Sequence, residues 1–428
     1  MAWTSPAPCS IAWPSTSMSA NSHGGTRHPP KNERLFRGFH ANASLSWPGG
    51  RGRAWGILAL WVPILFGSRG HGLGYVRLLS ILALLPLTLA GCRDESPVHN
   101  AHFEAFGAPV DLSIVGIKRD EAERVSRLVE EDLRFMADAW GDPDQGCLGR
   151  VNQLLPTAMA FAAPPALLPL IRASQDLAER SGHLFNPALG KLNALWGFQA
   201  VTTGRRQPPD KASIEALVKA KPLMSDLQVD DILLRTGNAD LRLDFGAMQT
   251  GYAIDRVIEH LQELGIHNAI LTIGGDLRAI GTRSGQPWPV AVRNPSGGGV
   301  LGIIQVSGNE SVFTAGDYER NFTYKGKSYH HILDPRTGWP ASGARLVTVL
   351  HDDATTADAA AHALLIAGPE RWYETARALG VRSVLLVDAQ GRIHLDPTMA
   401  RRVELLDRNA EVIEAPPLTP GGASLPGP

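Results

Sequence analysis

From residue 227 onward the chain alternates short apolar strands with amphipathic helices, and five polar clusters sit where those elements end. They are "LDFGAMQTGYAID" (243–255), "TIGGD" (272–276), "TAGDYER" (314–320), "HHILDPRTG" (330–338) and "DATTADAAAH" (353–362). Strands intermixed with helices in this way define an α+β protein with more than one packed layer. Polar chemistry gathered at element ends is how such scaffolds build sites. Taken singly, each cluster also has a plain structural account. Asp244 can cap a helix, Gly274-Gly275 and "DPRTG" can be turns, and Asp358 can complement a helix dipole.

The remaining pattern predicts a strand over 103–116, helices over 120–140 and 165–182, and a polar loop over 199–210. A hairpin turning at Gly237-Asn238 is expected next, then a helix from 246 whose Ala253, Val257, Leu261 and Leu264 form one stripe. Strands over "NAILTIGGD", "PVAVRNP", "LGIIQVS", "SVFTAG" and "LVTVLHD" follow, then a helix capped by Thr355 or Thr356 and a hairpin over "VRSVLLVDAQGRIHL". No internal repeat is present.

Composition narrows the function classes. The chain has 428 residues, 44% hydrophobic and 19% charged, with a formal net charge of -1. No polybasic surface is implied, so nucleic acid is not an expected partner. The three cysteines, Cys9, Cys92 and Cys147, have neither zinc-site nor thioredoxin spacing. Any metal is therefore expected to be hard and bound by oxygen.

Residues 1–75 hold one acidic residue, Glu33, and no amphipathic period, and read as an extension whose start is set too far upstream. Arg77, an apolar run from Leu78 to Ala90 and then "LAGC" read as a signal peptide over 76–92. The run falls short of the ~20 residues that span a bilayer. Cys92 is expected to carry a lipid, as in a bacterial lipobox, and Val76 to be the initiator. The folded domain is then 93–413, with a disordered Pro/Gly tail over 414–428.

The five clusters, in this order and spacing, resemble the ApbE family of FAD:protein FMN transferases. Upstream, "GHLFNPALGKLNALWGF" (182–198) extends the resemblance, which runs from about Phe103 to Leu395. It implies a multi-layer α+β fold with a T-fold-like core and FAD in a cleft. It implies Mg2+-dependent cleavage of FAD, attachment of FMN to a Thr or Ser hydroxyl of a target protein, and release of AMP. The target would be periplasmic, such as a redox-pump subunit, and the enzyme would be held by its lipid on the inner membrane. By the same resemblance, His331 and Asp358 are catalytic. Phe106, Trp140, Leu184, Phe185, Asn186, Asp244, Thr250 and Leu333 contact the flavin nucleotide, with Trp140 and Phe185 suited to stacking. Ala247, Asp358, Ala361 and His362 take the metal positions.

The chain departs from the family pattern at Phe106, Asn186, Thr250, Ala315 and above all His362, where the family carries threonine. An imidazole is a poor magnesium ligand. Two alternatives follow, a non-catalytic FAD-binding paralogue and an FAD pyrophosphatase that uses water as nucleophile.

Overall fold

Nine strands lie side by side in the order in which they occur in the chain. They are Val98–Ala105, Ala108–Val115, Ala269–Ile273, Asp276–Ile280, Glu310–Gly316, Ala344–His351, Ser383–Asp388, Ile393–Leu395 and Val412–Glu414. Neighbours pair antiparallel except the last two, which run parallel. The computed structural model describes residues 97–198 and 207–418. The extension, the signal peptide with Cys92, most of the 199–210 loop and the end of the tail lie outside the described residues.

Alternation along the strands sorts side chains onto two faces. Leu112, Ile114, Leu271, Phe313, Val347 and Val384 face a core covered by the helices Arg119–Trp140, Gln249–Glu263 and Ala354–Leu379. Leu277, Val312, Leu346, Leu350 and Leu385 face a second core. A three-stranded sheet of Trp288–Arg293, Val300–Val306 and Val403–Leu405 and the helix Pro397–Arg402 pack over it. Helices, large sheet and small sheet make three layers, as the expected α+β class requires. A satellite cluster of Trp196, Phe198, Phe322, Tyr329 and Trp339 sits apart, with Phe322 stacked on Tyr329 at 5.4 Å between centroids.

Three sequence expectations change. The segment 103–116 is most of a hairpin, because Phe106 (φ 53°) and Gly107 (φ 69°) make a two-residue turn between paired Ala105 and Ala108. Positive φ at both central positions usually announces itself as Asn-Gly or Asp-Gly, and a phenylalanine in the first place hides the signal. The hairpin from 227 turns at Asp231-Ile232, between paired Asp230 and Leu233, and not at Gly237-Asn238. The tail begins later than 414. Glu414 ends a strand, Ala415 N–H donates to the Leu395 carbonyl at 2.8 Å, and Leu418 is buried.

Two helix starts lie against each other. Gly251, in the first turn of Gln249–Glu263, touches the start of Ala354–Leu379 so closely that a Cβ would lie 2.3 Å from the Ala354 carbonyl oxygen. Only glycine permits that approach. It brings the clusters at 243–255 and 353–362, about a hundred residues apart in sequence, to one place.

Candidate active site

Asp244 is placed by its neighbours. Asn152 clamps the preceding residue, donating to the Leu243 carbonyl at 2.9 Å and accepting the Leu243 N–H at 2.8 Å. The Asp244 carboxylate accepts the Gly246 N–H at 2.9 Å and Asn193 Nδ2 at 3.0 Å. Asn193 was not singled out, although it stands within the "GHLFNPALGKLNALWGF" stretch, on the short helix Gly190–Trp196.

The adjacent histidines divide their work. His330 is structural: Nε2 donates to the Ala341 carbonyl at 2.9 Å and Nδ1 accepts the Ile332 N–H at 3.3 Å. His331 has a buried Nδ1 with no hydrogen-bond partner. Its backbone N–H donates to the Arg320 carbonyl at 3.0 Å. Burial first, then the charges of Arg320 and His362, hold the His331 ring well below the ordinary histidine value of 6.5. The imidazole is therefore neutral at physiological pH and able to accept a proton.

The "DPRTG" turn bolts this stretch down. The Asp334 carboxylate accepts Arg336 N–H at 2.9 Å and its guanidinium at 2.8 and 2.7 Å. Arg336 also donates to the Ile366 carbonyl at 3.2 Å, and Trp196 Nε1 donates to the Gly338 carbonyl at 2.9 Å. The turn is thus tied to the Ala354 helix and to the aromatic cluster.

Leu184, Phe185, Asn186, Asp244, Ala247, His331, Leu333 and His362 line one cleft, together with Arg320. Its volume is about 780 Å³, open solvent at the mouth included. The structure thus brings eight of the residues singled out in the sequence to one cleft. The other predicted residues stand off the cleft wall. Trp140 is 3% exposed and meets Tyr252 edge-on at 5.8 Å, so its ring packs in the core. Phe106 sits half-buried in its hairpin turn against the main core, and Ala361 is buried there too. Thr250 lies half-buried in the first turn of the Gln249 helix. Asp358 is buried behind the wall, its Oδ2 accepting the Gly251 N–H at 3.0 Å.

His362 Nδ1 donates to the Asp358 carbonyl at 3.0 Å and lies 3.4 Å from Asp358 Oδ1. Burial lowers the ring's proton affinity, but its bonds to Asp358 and the charge of Asp276 outweigh this and hold it above 6.5. Asp276, which closes "TIGGD", accepts the Thr314 N–H at 2.8 Å. Burial and the Asp358 charge push its carboxyl well above the ordinary carboxylate value.

Among the described residues, no three His, Cys, Asp or Glu side chains converge to hold an ion unaided. The donors nevertheless fit a hard cation completed by water and a substrate's phosphates. Asp276 and Asp358 crowd each other's charge; their backbone hydrogen bonds come from N–H groups of Thr314 and Gly251, and the imidazole of His362 is the cationic side chain beside both. A divalent ion relieves such repulsion. Asp276 and Arg320 belong to clusters the sequence flagged, but nothing in the sequence marked either as a neighbour of the candidate cation site.

Fold and cleft together define an α+β protein whose open cleft is walled by a neutral histidine, a second histidine and an arginine, with the carboxylates of Asp358 and Asp276 close to that second histidine. The ApbE family profile matches residues 106–385, and the chain belongs to that family. A curated FAD:protein FMN transferase of Rhodobacter capsulatus is 34% identical over 71% of this chain, which spans 58% of that protein's length. One from Klebsiella pneumoniae is 30% identical over 75% of this chain and 98% of its own length. Among solved structures, the ApbE protein of Thermotoga maritima superposes with a TM-score of 0.65 at 28% identity, covering 72% of this chain and 99% of that one.

Proposed function

We propose that this protein is an FAD:protein FMN transferase that moves the FMN half of FAD onto a Thr or Ser hydroxyl of an acceptor protein. The observation that carries this reading is His331, neutral and desolvated on the wall of a cleft it shares with Asp244 and Arg320. In the proposed reaction the acceptor oxygen attacks the phosphorus of the FMN half. The bond to AMP breaks, AMP leaves with the electron pair, and His331 takes the hydroxyl proton. Arg320 offers positive charge to the diphosphate at the cleft rim. Asp244 and Asn193 offer polar contacts to the nucleotide, and Phe185 an apolar wall. Asp358 and Asp276 would hold Mg2+, which when bound offsets charge on the transferring phosphate. The test is incubation with FAD, Mg2+ and an acceptor domain. Covalent flavin on the acceptor supports the reading. Free FMN instead indicates a hydrolase, and intact FAD a binding protein.

Burial of His331 sets the pH dependence of that reaction. Its folded value lies below 6.5, so the base form persists as pH falls. The acid limb of the kcat profile is expected well below pH 6.5, and a limb at or above that value would remove His331 as the base. The stability that His331 itself contributes is lost as pH drops below 6.5, because the unfolded chain then binds a proton that the native ring resists.

The protein acts, on this reading, from the periplasmic side of the inner membrane through a lipid on Cys92. The apolar run ending in "LAGC" supports it. Cys92→Ala is expected to release the protein from membranes and to abolish incorporation of labelled fatty acid. Label retained in the variant would refute the assignment.

A further inference from the structure

The two helix starts that meet at Gly251 exchange carboxylates. Asp358, on the Ala354 helix, accepts the Gly251 N–H at the start of the Gln249 helix at 3.0 Å. Asp255, on the Gln249 helix, reaches back to the start of the Ala354 helix. Its Oδ1 accepts the Ala354 N–H at 2.9 Å, and its Oδ2 accepts the Thr355 N–H at 2.8 Å and Thr355 Oγ1 at 2.6 Å. A helix start carries N–H groups with no partner in the helix and a partial positive charge. Here each start is satisfied by an acid from the other helix, so the pair is locked in register. Arg278 closes the knot, donating Nη1 to Asp255 and its other nitrogens to Asn309 Oδ1 at 3.1 and 3.0 Å. Arg278 stands two residues after Asp276 on one strand, on the same face. The Asp255 side chain is 2% exposed, so none of these bonds has water as an equal substitute.

We infer that Asp255 is a positioning residue for flavin transfer: it sets the depth of Asp358 behind the cleft wall and, through Arg278, the place of Asp276 near it. It does not itself line the cavity. With one Asp358 oxygen held by Gly251, the direction of the other depends on where the two helices sit. Loss of the Asp255 bonds frees the Ala354 helix to shift, and the shift reaches Asp358 one turn later. The kinetic part of this inference rests on the transferase reading above.

The variants are Asp255→Asn, which keeps the shape but cannot accept from all four donors, and Thr355→Val, which removes one bond and carries the test if the first does not fold. The comparator is Asp396→Asn. Asp396 is a fully buried carboxylate that caps another helix, accepting N–H groups of Thr398, Met399 and Val384 at 2.8, 3.2 and 2.6 Å, away from the cleft. Both Asp255→Asn and Thr355→Val should lower kcat by about 10–100-fold, the usual cost of losing an outer-shell partner, with FAD affinity and acceptor KM unchanged. Asp396→Asn should lower the melting temperature without that loss of kcat. Hydrogen exchange reads the clasp without any activity: the Gly251 amide should lose protection in Asp255→Asn and keep it in Asp396→Asn. If Gly251 stays protected in Asp255→Asn, or if kcat tracks melting temperature alike in all three, Asp255 is only a stabilising residue. If the wild type transfers no flavin, the functional reading fails, and the exchange result still decides the clasp.

Discussion

Replacing His331 with alanine is expected to slow flavin transfer by about 10²–10⁴-fold while FAD stays bound. The size follows from the role of a general base, which contributes that much when it is well placed and neutral. Both conditions hold here in the geometry. The ring is kept uncharged by burial and by Arg320 and His362, and its backbone is tied to Arg320 at 3.0 Å. The surrounding turn owes nothing to the imidazole, since Asp334, Arg336 and Gly338 are held by their own bonds. The fold should therefore survive. Single-turnover transfer and FAD titration on the same preparation check the claim. A variant that transfers flavin at the native rate would show that another group takes the proton. Loss of FAD binding in step with rate would make His331 a binding residue instead.

Asp358→Asn should cost at least about 10²-fold in transfer, the scale of removing one electrostatic contact to charge that develops in the reaction. An asparagine can still accept the Gly251 N–H, so the helix pair should hold and the melting temperature should change little. Asp358→Ala makes the contrast. It strands a buried donor, at an expected further cost of about 1–3 kcal/mol in stability. Thermal melts and transfer rates of the two variants separate charge from packing. Equal activity of Asp358→Asn and wild type would leave the carboxylate with a purely structural duty, the one it visibly has toward Gly251.

His331 and Asp358 were both singled out in the sequence, and the structure adds the partners that the sequence left open. "HHILDPRTG" offered two histidines with no means of choosing between them from side-chain type alone. The choice is made by the Ala341 carbonyl and the Ile332 N–H, which occupy both nitrogens of His330. Asp358 could be read as a helix-dipole partner for its own helix. It is bonded instead to the start of another helix, and Asp353 caps its own, accepting the Thr356 N–H at 2.6 Å. Trp140 looked like a stacking surface by its type, yet the helix that bears it turns the ring toward Tyr252.

Local sequence determined the elements, their polar ends and the family, because periodicity and turn residues act over a few positions and the five clusters keep their order along the chain. Which clusters share a cavity was decided only by the tertiary structure. The reason is packing: Gly251 has no side chain, so two helix starts close to contact, and the acids at 255 and 358 can cross between them. That same approach sets Asp358 beside Asp276 and His362, a neighbourhood of charge that exists only once the large sheet has folded in register beneath both helices.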